Sequence, residues 1–409
     1  MGRLVKRRWT PDPSLPMDGR LGAPFDYEAY VPDEIADTDP VLSASLARVL
    51  HEADEAVREL NDSLPSVTGL EALSRQLLRQ ESVASSRIEG LVISHRRLAR
   101  AAVAEDDQHR DSGAEAILAN IAAMEFAIAH TSTLPAIAAH DIVAVHRRLM
   151  EQTRDAHLAG LVRASQNWIG ANNHNPRGAA FVPPPETEVR RLLDDLAAFM
   201  NRRDLPPTLQ AAIAHAQFET IHPFPDGNGR TGRCLIHVCY RRAALAPRFV
   251  PPVSLLLATD GDAYVRGLTA YRTERPENWY LDFATTVIRA SRAARSLGQQ
   301  IEELEERWLA QAGNPRRGST ARRLIEALPA QPILRIGHVV AMTGAKSSAA
   351  QAAVNQLRAA GVLKQITVGR RNRAFEAVGL LNLVDTFERR LAVPEPDGNK
   401  PVRPAPFLN

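Results

Sequence analysis

His222-Pro223-Phe224-Pro225-Asp226-Gly227-Asn228-Gly229-Arg230-Thr231-Gly232-Arg233 is the stretch whose reading decides the fold. Before it, Leu209 to Ile221 carries Ala212, Ile213, Ala216, Phe218 and Ile221 at helical spacing with no Pro or Gly, which predicts a buried helix stopped by Pro223 and Pro225. After it, Arg230 to Leu245 is again apolar-periodic until Pro247. Gly227-Asn228-Gly229 therefore stands just before a helix N-terminus, where unpaired N–H groups and the dipole favour an anion such as phosphate.

The residue types agree with a nucleotide site. Gly227 and Gly229 keep no side chain between a phosphate and the backbone amides, and they tolerate the positive φ of an anion nest. Asp226 suits Mg2+, which bridges a carboxylate to phosphate oxygens while keeping several waters. Arg230 and Arg233, one turn apart, can address one polyphosphate. His222 is the group here whose ordinary pKa lies near neutrality, which suits it to accept a proton from an attacking hydroxyl. A plainer reading stays open at this level: a Pro/Gly/Asn turn with solvent-facing arginines.

These twelve residues resemble the signature of the Fic family, His-x-Phe-x-Asp/Glu-Gly-Asn-Gly-Arg-x-x-Arg, with every fixed position matched. The resemblance implies a mainly α fold, a Fic-type helical core with a β-hairpin flap, and transfer of AMP from ATP to a Ser, Thr or Tyr hydroxyl of a protein with release of pyrophosphate. It implies His222 as general base and Asp226 as the Mg2+ ligand. Phe224, Gly227, Asn228, Gly229 and Arg230 are implied at the nucleotide, and Arg233 at its γ-phosphate. Such a transfer needs mainly positioning and charge neutralisation.

Ser85-Ser86-Arg87-Ile88-Glu89-Gly90 resembles the Ser/Thr-x-x-x-Glu-Gly/Asn motif of the inhibitory helix in many Fic proteins. Thr68 to Glu89 lacks Pro, places Leu70, Leu73, Leu77, Ala84 and Ile88 at helical spacing, and ends at Gly90, a favoured helix stop. The resemblance implies that Ser85 and Glu89 face Arg233 and that Glu89 denies this arginine to the γ-phosphate. Read without it, the segment is an ordinary charged helix end.

A third segment predicts a hairpin: Gly160 to Arg163 and Gln166 to Gly170, then a polar loop, then Ala180-Phe181-Val182 before Pro183-Pro184-Pro185. By resemblance this is the flap, where Phe181 and Val182 would grip a target backbone by strand addition. The adenine end is less marked, since Asp262-Ala263-Tyr264-Val265-Arg266 holds one aromatic where family members often pair tyrosines. Tyr264 is the candidate base contact, with core packing as its alternative.

Around these sites, 409 residues allow more than one core, and a formal net charge of +3 with a pI near 9.0 does not by itself imply nucleic acid. Cys234 and Cys239 are the only cysteines and suit a reducing compartment as buried thiols. The basic Met1 to Arg8 lacks a following apolar run, and no window is expected to span a membrane, so a soluble cytoplasmic protein is the expectation.

The chain divides into an N-terminal arm and helices (1–60), with residues 1 to about 40 expected irregular; an inhibitory-helix region (61–134); a Fic core (135–297), opening near Ile142 to Met150 and closing with Trp279 to Leu297; and, beyond the turn-rich Gly313 to Gly318, a further module (318–390) and a Pro-rich tail (391–409). In that module, helices at Ala321 to Leu328, Ile336 to Thr343 and Ser347 to Ala360 precede strands at Val362 to Ile366 and Ala374 to Glu376. This is a winged-helix pattern. It can set Gln351, Asn355 and Arg358 in a DNA major groove with wing arginines on phosphate, or serve as a surface for a protein partner or a homodimer. Two other activities fit the same residues: removal of AMP from a modified protein using Glu89 and water, and a nucleotide-sensing DNA-binding regulator.

Overall fold

The computed structural model describes residues 2–11, 23–62, 70–104, 112–170, 174–273, 275–368 and 372–391. The tail from 392 onward and the wing residues Gly369, Arg370 and Arg371 lie outside them.

The N-terminal arm corrects one expectation. It is an antiparallel pair, β1 (Arg3–Trp9) and β2 (Phe25–Val31), in register from Arg3 opposite Val31 to Trp9 opposite Phe25. Phe25, Tyr27, Ala29 and Val31 alternate with more exposed residues, the period-two pattern of a half-buried strand, which the Pro/Asp-rich surroundings obscure. Helices follow: α1 (Ala44–Asp62), α2 (Leu70–Ile88), α3 (His95–Ala101) and α4 (Ser112–Ala129). Residues 112–133 are long and apolar enough to cross a membrane by length and composition, with mean hydropathy 1.3, contrary to the reading of the sequence. Ile117, Ala119, Ala123, Met124 and Ala127 are nonetheless buried, and α4 packs against α2.

The central body continues with α5 (Ala139–Met150), α6 (Val189–Met200), α7 (Pro207–Ile221), α8 (Asn228–Arg242), α9 (Val253–Leu257), α10 (Gly261–Tyr271) and α11 (Pro276–Gln311). Every residue of α7 after Pro207 is buried, as expected for a helix wrapped on all sides, here by α1, α6, α8, α10 and α11. The Trp279 indole N–H donates to the Ala212 carbonyl at 2.9 Å and ties α11 to α7. The 36-residue α11 runs through Gly298 without interruption.

Gly313 (φ 76°), Asn314 (φ 50°) and Gly318 (φ 77°) make the expected break. Beyond it come α12 (Thr320–Ala327), β3 (Ile333–Leu334), α13 (Ile336–Thr343), α14 (Ser347–Ala359), β4 (Leu363–Val368) and β5 (Asn372–Ala377). The strands form an antiparallel sheet in the order β3-β5-β4. The two-residue β3 is too short to show in the sequence.

A final helix, α15 (Leu380–Leu391), returns to α3 and α11. Its Glu388 accepts hydrogen bonds from Arg87 Nη2 at 2.7 Å and lies 2.7 Å from His95 Nε2. Glu376 on β5 takes Arg96 at 3.1 Å and Lys364 at 2.9 Å. The C-terminal module is therefore fastened to the end of α2 and to α3.

Candidate nucleotide and transfer site

The signature loop runs between two residues in the left-handed region. His222 closes α7 at φ 49°, ψ 60°, and Gly227 opens α8 at φ 76°. A side chain on Gly227 would be strained by that φ, and its Cβ would come within 3.2–3.3 Å of Leu149, Met150 and His146. For a histidine the conformation carries strain, which the surroundings hold in place. Arg163, 4 % exposed, donates to the carbonyls of His222 (2.9 Å), Ser165 (3.1 Å), Pro184 (2.6 Å) and Ile221 (3.3 Å). Asn167 adds a bond to the His222 carbonyl at 3.2 Å.

Two expected nucleotide contacts prove to be loop braces. The Phe224 side chain is fully buried and stacks on His146 at 3.8 Å between ring centres, so it anchors the loop rather than facing a ligand. The Asn228 side chain is used up by its own loop: it accepts from the Phe224 N–H at 2.9 Å and donates to the Phe224 carbonyl at 2.8 Å. What Asn228 leaves for an anion is its backbone N–H. The first intrahelical bond of α8 runs from Thr231 N–H to the Gly227 carbonyl at 3.0 Å, so the amides of Asn228, Gly229 and Arg230 precede the hydrogen-bonded ladder.

His146 was not singled out by the sequence. It accepts from the Gly160 N–H at 3.1 Å through Nδ1, which leaves Nε2–H to donate to the Asp226 carbonyl at 3.0 Å. Burial lowers its pKa to about 4 and keeps it neutral. The Asp226 carboxylate stays 55 % exposed, 3.4 Å from Arg230 Nη2. Among the described residues no three His, Cys, Asp or Glu side chains converge on a metal position. A single open carboxylate beside an anion nest fits Mg2+, which is held jointly by protein and phosphates.

Arg233 is 1 % exposed and closely held. Its Nε donates to Ser85 Oγ at 2.8 Å, and its Nη2 donates to the Ser85 carbonyl at 2.9 Å and to Glu89 Oε1 at 2.6 Å. Ser85 lies in the last turn of α2 and Glu89 in the turn that follows it before Gly90 (φ 79°), so both reach Arg233 and the predicted pairing is present. Burial pushes the Glu89 carboxyl up, but the charge and hydrogen bond of Arg233, with the charge of Arg230, outweigh it and hold the carboxyl below its usual value. A Cβ on Gly229 would lie 2.0 Å from Glu89 Oε1 and 2.9 Å from Arg233 Nη1, so a side chain there would displace the ion pair.

Glu219, one helical turn before His222, is a buried acid that the sequence reading passed over. It is 6 % exposed, its Oε1 has no partner, and its Oε2 lies 4.0 Å from His222 Nδ1. Burial raises it to about 7, and burial lowers His222 to about 4. The signal was available: an acid within a segment read as a buried helix.

Two further expectations are corrected. Tyr264 is 7 % exposed, its hydroxyl lies 2.8 Å from His215 Nε2, and its ring packs near Trp279; it is a core residue and offers no free edge to a base. The flap is reduced to one antiparallel bridge, Ile169 opposite Phe181, with residues 171–173 outside the described set. Val182 is not free to pair fully with a target, because its carbonyl accepts from the Tyr30 N–H at 2.9 Å. The Phe181 ring is covered by Arg272 at 3.7 Å and by Tyr30.

Residues 136–240 match the Fic/DOC family model, and residues 47–129 match the model of the Fic/DOC family N-terminal region. With the loop and helix geometry above, these two regions of the chain are a Fic/DOC domain and its N-terminal companion. It is similar to protein adenylyltransferase fic-1 of Caenorhabditis elegans, 32% identical over 118 residues, which are 28% of this chain and 21% of that protein. It is also similar to protein adenylyltransferase Fic of Drosophila willistoni, 26% identical over 284 residues, 64% of this chain and 51% of that protein. The chain thus spans about half or less of the length of these relatives. In fold it is similar to a crystal structure of a Fic family protein from Desulfovibrio desulfuricans (TM-score 0.52, 18% identity, 83% of this chain and 98% of that one). A similar likeness holds to residues 134–508 of C. elegans Fic-1 (TM-score 0.51, 23% identity, 64% and 73%).

Proposed function

We propose that this chain is a protein adenylyltransferase whose transfer of AMP from ATP is held in check by Glu89. The observation that carries the reading is the Arg233 guanidinium, buried beside the α8 amides and engaged by Ser85 and Glu89, two residues of one motif. In this reading the amides of Asn228, Gly229 and Arg230, with the Arg230 side chain, take the α- and β-phosphates, and Arg233 takes the γ-phosphate once Glu89 leaves. The target hydroxyl oxygen attacks the α-phosphorus, the bond to the bridging oxygen breaks, and pyrophosphate leaves with the electron pair. The hydroxyl proton passes to His222, neutral at working pH because burial lowers its pKa to about 4. Asp226 would hold Mg2+, which would supply charge neutralisation of the phosphates.

The test is intact-mass measurement of wild type, Glu89→Gly, and Glu89→Gly with His222→Ala after incubation with Mg2+ and ATP. AMP on Glu89→Gly and none on the double variant is the expected result. No AMP on any variant overturns the reading and moves AMP removal by hydrolysis, or nucleotide sensing, to the front.

Residues 318–390 fit a winged-helix module, and the exposed face of α14 that carries Gln351, Asn355 and Arg358 favours a second reading for that part, DNA contact. Filter binding with salt titration tests it, since a phosphate footprint must weaken steeply with salt; binding without such a slope points to a protein partner or a second copy. A cytoplasmic location fits Cys234 and Cys239, two buried thiols raised by burial to about 12.

A further inference from the structure

We infer that Glu219 is a positioning residue for His222: its carboxylate takes the Nδ1–H of the imidazole, fixes the tautomer with Nε2 free to accept the hydroxyl proton, and balances the imidazolium that results. The inference rests on the transferase reading and deepens it. Its basis is a buried acid beside the imidazole. Glu219 Oε1 is buried without a hydrogen-bond partner, while Glu219 Oε2 lies 4.0 Å from the buried His222 Nδ1, which has the Glu219 backbone carbonyl near it as well. A buried carboxyl with an unsatisfied oxygen, 4.0 Å from a buried ring nitrogen, is placed to close on it in another state.

The surroundings leave Glu219 little else to bind. Gly232 on α8 lies so close that a Cβ there would sit 2.5 Å from Glu219 Oε1. The charged and titratable groups facing the carboxyl are His222 on its own helix, Arg233 from α8, Glu89 from α2, Arg272 beyond α10 and Tyr264 on α10. Arg233 and Arg272 favour the ionised form, while burial and Glu89 oppose it and bring the group to about 7.

A link to inhibition follows from this geometry. Glu89 occupies Arg233 and also raises the Glu219 carboxyl, so its departure favours the carboxylate that His222 needs. Proton movement in the step is balanced: the hydroxyl proton goes to Nε2, the Nδ1 proton stays on the ring, and Glu219 remains a carboxylate, as a buried acid does beside a catalytic imidazole.

The test places Glu219→Gln and Glu219→Ala in the Glu89→Gly full chain. For Ala, kcat for AMP transfer falls roughly tenfold to a hundredfold while KM for ATP stays within about twofold. Gln, which keeps an acceptor without charge, lies between, and its pH–rate profile loses the limb near neutrality. The second readout needs no turnover: nitrogen-15 NMR of labelled histidine reports the His222 tautomer, expected Nδ1-protonated with Glu219 and shifted toward Nε2-protonated in Glu219→Ala. An unchanged tautomer together with an unchanged pH profile assigns the orientation to the Glu219 backbone carbonyl and overturns the inference. If Glu89→Gly transfers no AMP, the transferase reading fails, and the tautomer measurement alone decides the role of Glu219. Should Ala fail to fold, Gln carries both measurements.

Discussion

The last turn of α2 is held from two sides, and the two sides differ in kind. On the inner side Ser85 and Glu89 engage Arg233, whose side chain is 1% exposed, within the site itself. On the outer side Arg87 and His95 engage Glu388 of α15, a residue 301 positions away from Arg87. The inner contact occupies the Arg233 guanidinium, which in the proposed reading a phosphate would otherwise take. The outer contact touches no part of the pocket, and it sets how firmly the helix end is seated. The two contacts are therefore separable in this fold, although Arg87 and Glu89, which take part in them, are two positions apart.

Removing the inner contact should have the largest effect. Glu89→Gly frees Arg233, and we expect AMP addition at least about tenfold above wild type by mass, in line with one strong charge-assisted bond. An equal gain from Glu388→Gln would erase the distinction between the two sides.

Acid comes next. His146, His215 and His222 are held by burial at about 4, about 3 and about 4, below their ordinary 6.5. Each is neutral in the folded chain and protonated in the unfolded one between those values, so each removes about 1.4 kcal/mol of stability per pH unit as pH falls below 6.5. Glu219 acts in the opposite sense: raised to about 7, it stays protonated when folded, so its contribution is lost as pH rises from about 4.5 to 7. Unfolding midpoints in denaturant between pH 4 and 7 should fall toward acid in wild type and fall more steeply in Glu219→Gln. A flat profile would contradict the burial of the imidazoles.

Glu388→Gln should have a smaller and more local effect. It leaves Arg87 and His95 with a neutral partner, at a cost of about 1–3 kcal/mol. Hydrogen exchange should accelerate through the end of α2 and α3, and AMP addition should rise less than in Glu89→Gly because Arg233 keeps its partner. The smallest change is expected from Tyr264→Phe, which loses one buried hydrogen bond to His215 at about 1 kcal/mol and leaves KM for ATP as it was. A several-fold rise in KM would return Tyr264 to the nucleotide.

Much of the site was legible because its residues are near neighbours in the chain. The 222–233 loop, the helices on either side of it, and the Ser85/Glu89 spacing on α2 all lie within the reach of local periodicity and turn chemistry. The departures share one cause. The side chains of Phe224, Asn228 and Tyr264 have the chemistry of ligand contacts, yet His146, the loop backbone and His215 claim them, and Asn228 keeps only its backbone N–H for an anion. Val182 was expected to be an open edge, and a strand from residues 25–31 takes its carbonyl.

From residue order alone come the helical body and the glycine-bearing turn before a helix N-terminus, since spacing along one helix and the backbone freedom of glycine are local properties; the pairing of Glu89 with Arg233 came from the resemblance of the two segments to Fic motifs. Three-dimensional packing alone settled that Arg163 and His146 brace the loop, that Glu219 faces His222 without a partner, and that Glu388 seats the end of α2. Those contacts depend on burial and on residues brought together across the fold, and neither leaves a period or a spacing in the chain.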